Sequence, residues 1–172
     1  MDIRIARPAD AASLARLGTD SFVAKFGHLY KPEDLSGFLE GSHSEAKVAR
    51  EIADPRLRVA LAEQDGNLLG FCKLVMDCGW PDHARGTRVI ELKQLYTAPD
   101  ATGQGIGARL MDWAFEEAGA HGADEIQLSV YADNPGAQKF YARHGFEKVA
   151  DIHFMVGEQR DEEFLFAKVL TD

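Results

Sequence analysis

Positive charge, cysteine and long apolar runs are scarce in this 172-residue chain. Lys and Arg number 19 against 28 Asp and Glu, a formal net charge of −9. That balance excludes general nucleic-acid binding, which needs a basic face to neutralise phosphates. It suits cationic small-molecule substrates, and it equally serves ordinary solubility. The two cysteines, Cys72 and Cys78, have no second pair and no histidine at metal-ligand spacing, so no metal site and no disulfide framework is expected. They read as reduced thiols of a cytoplasmic protein. No apolar stretch approaches the roughly 20 residues of a membrane helix. Met1 to Ile5 lacks the apolar core of a signal peptide, so no membrane partner is expected. Repeats and low-complexity runs are missing as well.

What remains is the composition of an ordinary globular domain, 45% hydrophobic and 27% charged. Ile3 and Ile5 flank Arg4 in a short first strand. After Pro8, Asp10 is expected to cap a helix carrying Leu14, Leu17 and Phe22 inward. Pro32, followed by Glu33 and Asp34, opens a second helix, and Ser44 caps a third that stops at Pro55. A strand through Val59 and Leu61, a turn at Asp65-Gly66-Asn67 and a return from Leu68 to Met76 form a hairpin. The polar segment 78–88 is either a mobile loop at a substrate entrance or a plain connector. Val89 to Tyr96 is a strand, Ile106 starts a helix with Leu110, Ala114 and Ala118 inward, and Gly122 ends it. Ile126 to Tyr131 is a strand, Asn134-Pro135 opens a last helix ended by Gly145, and 146–154 and 164–170 complete the sheet. One α/β (α+β) domain over residues 1–172 is expected.

The chemistry concentrates in Thr102-Gly103-Gln104-Gly105-Ile106-Gly107-Ala108, between a strand and a helix. Its glycines allow a tight turn and a close approach of a bulky anion to backbone N–H groups. Those amides and the helix N-terminus make an anion site without a basic side chain, and pyrophosphate is its natural occupant. A turn that merely starts a helix is the alternative. Gly103, Gly105 and Ala108 also satisfy a dinucleotide fingerprint. Against that, the strand ends several residues before Gly103, and too few βα units follow for a doubly wound sheet. No Gly-Lys-Ser/Thr follows, which excludes a P-loop.

The run Leu95 to Leu110 resembles the cofactor motif of the GNAT superfamily of N-acetyltransferases. The segment Asn134 to Phe146, with Tyr141 before Gly145-Phe146, resembles the second motif of the same superfamily. The resemblance is close over 89–150 and loose over the whole chain. It implies a single domain built on a central twisted mixed, mostly antiparallel sheet of about seven strands flanked by helices. It further implies acetyl-CoA as cosubstrate and no metal. The residues it assigns to the cofactor are Leu95, Tyr96, Thr97, Thr102, Gly103, Gln104, Gly105, Ile106, Gly107, Ala108, Asn134 and Tyr141. The superfamily usually carries Arg or Gln where this chain has Thr102, so one longer phosphate donor is missing. Glu91 to Tyr96, Phe26 to Tyr30, and Phe154 to Gly157 with 164–170 resemble the bacterial spermidine/spermine acetyltransferase branch.

The implied reaction is direct attack of a small primary amine on an acetyl thioester, with a polyamine-like acceptor favoured. A peptide amine, or a non-catalytic acyl-CoA-binding module, is the alternative, and a homodimer is admitted. An amine with a pKa near ~10.4 arrives protonated and needs a base. Glu91 is the candidate, through a water; its other reading is a strand carboxylate paired with Lys93 on the same face. Tyr141 is the candidate acid toward the leaving thiolate by resemblance, or else a core tyrosine beside Phe140 and Ala137. The resemblance also gives Leu95 N–H the developing oxyanion and a strand at Leu95 to Thr97 that splays from its neighbour. Neither cysteine adjoins a histidine in sequence, which favours direct transfer over a covalent route.

Overall fold

The computed structural model describes residues 1–170. Its strands are β1 (Asp2–Ile5), β2 (Leu57–Gln64), β3 (Asn67–Val75), β4 (Val89–Thr97), β5 (Glu125–Tyr131), β6 (Glu147–Val156) and β7 (Gln159–Val169). Its helices are α1 (Ala11–Phe26), α2 (Pro32–Ser42), α3 (Glu45–Ala53), α4 (Ile106–His121) and α5 (Pro135–Arg143). The seven strands form one mixed sheet in the order β1-β2-β3-β4-β5-β7-β6. Every neighbouring pair is antiparallel except β4 and β5.

That exception shapes the molecule. β4 pairs with β3 from Glu91 to Thr97, but its parallel pairing with β5 covers only Val89, Ile90 and Glu91. Beyond Glu91 the two strands part, so the β5-facing edge of β4 is left without a strand partner. An unpaired backbone edge inside a sheet must find its hydrogen bonds elsewhere, which makes the split a receptor for a ligand with amide groups. A bulge in β4 adds to the change of direction, for Lys73 faces Gln94 while Leu74 faces Leu92, and Lys93 is the extra residue.

Side-chain alternation along β2 and β3 separates the two helical layers. Val59, Phe71 and Lys73 meet Leu14 of α1 and Val48 of α3. Gly70, on the opposite face, lies under Ile106 and Leu110 of α4, where a Cβ would sit 3.0 Å from Ile106 Cγ2. The inward face of α4 is fully buried at Leu110, Met111, Ala114 and Ala118. Met111 extends the expected stripe because the helix packs across several strands. Asp65 and Gly66 both take positive φ in the β2–β3 hairpin, whose two-residue turn matches strand twist.

Capping follows the expected sites with one change. Ser44 Oγ accepts from Lys47 N–H at 3.2 Å, Pro32 opens α2, and Gly122 ends α4 at φ 79°. Asp10 precedes α1 but does not cap it through its side chain. Its carboxylate instead accepts from Arg7 N–H at 2.7 Å and from the Arg4 guanidinium, a charge-assisted pair that outcompetes a neutral cap. The last strand also starts earlier than the apolar run 164–170. It begins at Gln159, because the tight turn at Gly157 keeps the polar stretch 159–163 in register with β6.

Candidate active site

The glycine loop leaves β4 through the turn Pro99–Ala101 and enters α4. Gly103 and Gly105 stand at φ 80° and 76°, and a Cβ on either would meet nothing within 4 Å. Conformation, not crowding, therefore demands glycine at both positions. Gly105 N-caps α4, and the first helical bond runs from Arg109 N–H to the Gly105 carbonyl at 3.2 Å. The N–H groups of Ile106, Gly107 and Ala108 are thus the unpaired first turn, aligned with the positive helix end. Residues 102–105 are exposed, so an anion can reach them. Gly107 has a different reason for lacking a side chain: a Cβ there would sit 3.3 Å from Phe140 Cζ, so α5 can lie against the first turn of α4.

Asn134 Oδ1 accepts from Ala137 N–H at 3.2 Å and caps α5. Gln138 Nε2 donates to the carbonyls of Tyr131 and Ala132, tying α5 to the end of β5. This places Tyr141 between Phe140 and Phe146, with ring centroids 5.3 and 5.8 Å away. Burial pushes its phenol above the ordinary range, and the nearby Cys72 and Tyr96 add to this. The hydroxyl therefore stays protonated through neutral pH.

A cavity of about 440 Å³ lies on the sheet face covered by α1, α2 and α3, and reaches the β4–β5 split. Glu91, Leu95, Tyr96, Asn134 and Tyr141 all line it. Thr97, Thr102 and residues 103–108 do not; the expected site residues fall into two groups, a cavity and an exposed loop.

Glu91 is covered by the segment 78–88, which is fastened rather than loose. Gln127 holds Trp80 by both its N–H, at 3.1 Å, and its carbonyl, at 3.0 Å. Fully buried Glu125 accepts from the N–H groups of Arg85, at 2.8 Å, and Gly86, at 3.1 Å, and pairs with the Arg85 guanidinium. A Cβ at Gly79 would approach Glu91 Oε1 to 2.6 Å, so glycine lets this cover close over the carboxylate. The resulting burial raises the Glu91 carboxyl, against an opposing pull from Lys93 and Lys73. The Lys93 ammonium, half exposed on the rim of the same cavity, is 3.9 Å from Glu91 Oε2, so the strand pair is loose. Cys72 is fully buried and its thiol is pushed up, which removes it as a nucleophile. Cys78 Sγ donates to Gln127 Oε1 at 3.3 Å in the cover.

Residues 23–146 match the acetyltransferase (GNAT) family. The chain belongs to the GNAT acetyltransferases. It is 30% identical over 163 residues to an uncharacterised N-acetyltransferase of Mycobacterium bovis, covering 94% of this chain and 99% of that protein. It is 33% identical over 132 residues to the aminoalkylphosphonate N-acetyltransferase of Salmonella typhimurium, covering 76% of this chain and 79% of the relative. In fold it resembles the PaiA N-acetyltransferase of Thermoplasma acidophilum, solved with coenzyme A, with a TM-score of 0.78, 23% identity, and 99% and 100% of the two chains covered.

This N-acetyltransferase has further cavity residues that motif reading does not find. Tyr30 donates to buried Asp161, and Glu163 stands two residues on along the same face of β7. Lys73, 4% exposed, is paired with Glu51 at 2.6 Å, and Trp80 reaches in from the cover. These residues sit on elements far apart in sequence. Their local signs are slight: Tyr30 ends the stretch Phe26 to Tyr30, Trp80 lies in the polar segment 78–88, and Asp161 and Glu163 belong to the charged first half of β7.

Proposed function

We propose that the chain acetylates a small primary amine, polyamine-like, with acetyl-CoA as donor. The observation that carries this reading is the convergence of Glu91, Leu95 and Tyr141 on one cavity at the point where β4 leaves β5. The loop residues Thr102 to Ala108 fit a pyrophosphate: open space at Gly103 and Gly105, free first-turn amides, and no need for a basic side chain. The β5-facing edge of β4 from Leu95 to Thr97, where the Thr97 carbonyl also accepts from Ser21 Oγ at 3.3 Å, would with Asn134 Nδ2 hold the pantetheine amides. The donor supplies an activated acetyl thioester.

The residues of this chain do the rest. Glu91, kept in a desolvated pocket, takes a proton from the incoming ammonium through a water. The neutral amine nitrogen bonds to the acetyl carbonyl carbon. Leu95 N–H meets the negative charge developing on the carbonyl oxygen, a donor of a kind worth roughly 3–4 kcal/mol at acyl-transfer sites. As the carbon–sulfur bond breaks, the Tyr141 phenol donates to sulfur, and the second proton shed by the attacking nitrogen as the amide forms restores the phenol. A simple thiol has a pKa near ~8.5, so this proton is not driven downhill and assists only during cleavage. No covalent enzyme intermediate is required.

A second reading, a zwitterionic acceptor, is favoured by the Salmonella relative and by Lys25 and Lys47 beside the cavity. The test is acetyl-CoA turnover against diamines, polyamines, aminoalkylphosphonates, amino acids and short peptides, in wild type and Tyr141→Phe. We expect amine-dependent release of CoA, and at least tenfold slower turnover in the variant with coenzyme A binding nearly intact. Equal turnover in the two proteins would remove Tyr141 as the acid. Tight coenzyme A binding without turnover of any amine would favour a regulatory acyl-CoA-binding module.

A further inference from the structure

The charged side chains of the cavity divide unequally between its two ends. At the α3 end Lys73 is matched by Glu51, and Lys93 lies near Glu91. Lys47, half-buried on the same helix as Glu51, adds positive charge there. At the β7 end the cavity holds Asp161 and Glu163, and among the described residues no lysine or arginine forms an ion pair with either. Neighbouring Arg160 and Glu162 point to the other face and pair with each other at 3.0 Å. Glu163 is opposite Tyr131 in the β5–β7 ladder, so both project into the same space. The surrounding wall is aromatic. Phe22 stacks on Tyr30 at 5.8 Å, and Phe26 meets Tyr131 edge-on at 5.8 Å.

Two carboxylates lining one end of the cavity, with no ion pair to a lysine or arginine among the described residues although exposed Lys25 also lines the cavity, are an incomplete arrangement, since buried charges are normally paired. Aromatic faces beside them complement an ammonium group and not an anion. We propose that Glu163, backed by Asp161 and Tyr30, binds a second ammonium of the acceptor, so that the preferred acceptor is a linear diamine or polyamine. One amine then lies at Glu91 and Tyr141, and the other at Glu163. This rests on reading the cavity as the amine site, and it adds the residue that measures the acceptor's far end. A monoamine fills only half of the site. A zwitterion would have to set its negative group against a lysine of the lining, Lys25 or Lys47, and away from Glu163.

Protonation supports the assignment. Burial, with Asp161 adjacent, raises the Glu163 carboxyl to about 7, while a hydrogen bond from Ser129 opposes the shift. The groups around it are Asp161 on β7, Ser129 and Tyr131 on β5, Tyr96 on β4 and Tyr30 beyond α1. Near pH 7 the carboxyl is about half protonated, and an arriving ammonium displaces the proton.

The test compares 1,4-diaminobutane with n-butylamine as acceptors for wild type, Glu163→Gln and Glu163→Asp. Wild type should prefer the diamine at least tenfold in kcat/KM. Glu163→Gln should raise the diamine KM at least tenfold, with kcat within about twofold, and raise the butylamine KM by much less. Glu163→Asp, which keeps the charge, should recover part of the loss. Calorimetry of 1,4-diaminobutane binding to the CoA-saturated protein, in buffers of different ionisation heat, should show about half a proton released at pH 7 in wild type and none in Glu163→Gln. A wild type that turns over both amines equally, or a variant that weakens both equally, overturns the proposal and leaves acetyl transfer intact. Absence of turnover with every amine overturns acetyl transfer instead. Diamine binding lost in Glu163→Gln would then still uphold Glu163, and unchanged or absent binding would overturn it.

Discussion

Lowering the pH from 7 to 5 should leave wild-type stability nearly level, and removing Glu163 should make it fall. His43 is 4% exposed, its Nε2 is unpaired, and the rings of Phe22, Phe38 and Tyr96 surround it. Burial, with a smaller push from Lys73, lowers it from 6.5 to about 4. Over this window the unfolded chain takes a proton at His43 and the folded chain does not, so stability is lost as pH falls below 6.5. Integrating that shift between pH 7 and 5 gives about 2 kcal/mol. Glu163 runs the other way. Raised from 4.5 to about 7, it takes up its proton first in the folded chain, and its contribution grows as pH falls. The same integration gives about 2 kcal/mol of opposite sign. Glu91, shifted up, and His144, shifted down, add further contributions that oppose each other. Urea unfolding of the ligand-free protein at pH 5 and 7 checks the account. Glu163→Gln should lose about 2 kcal/mol on acidification, while His43→Leu should gain stability by a similar amount. Parallel pH profiles for wild type and Glu163→Gln would refute the reasoning.

Two further outcomes follow from the site. Glu91→Gln should slow turnover about 10²-fold or more at neutral pH and recover part of the loss at high pH, where the amine arrives already neutral; a wild-type rate without pH dependence would exclude Glu91 as base. Gly105→Ala should cost about 1–2 kcal/mol in thermal or urea unfolding, because φ 76° burdens any L side chain even in open space, and Gly105→Asn should cost less; wild-type stability in Gly105→Ala would mean the loop can relax away from this conformation.

The elements were legible because their signals are local. Caps at Ser44 and Asn134, the first-turn Pro32 and Pro135, the hairpin turn at Asp65-Gly66 and the stripe Ile106-Leu110-Ala114-Ala118 each act within a few residues. The glycine loop was legible for the same reason. Positive φ at Gly103 and Gly105 is a backbone requirement that only those positions' own residue type can meet cheaply. The family was readable because both motifs are contiguous. Asp10 shows where local reasoning stops: Arg4, in a different element, offers its carboxylate a stronger partner than the helix end does.

Tertiary structure alone decided what the cavity is. Glu91 and Tyr141 are 50 positions apart in sequence and share a wall only because β4 leaves β5 after three pairs. The burial that raises Glu91 comes from a segment whose anchors, Glu125 and Gln127, lie on another strand. Glu163 in sequence is one acid in a charged run. In the fold it faces Asp161, Tyr30 and Tyr131, and among the described residues no lysine or arginine forms an ion pair with it. The chain by itself therefore determined its local geometry and its anion loop, because those depend on backbone preference. Which side chains meet, and hence which acceptor fits, depends on contacts between distant segments that local preference does not encode.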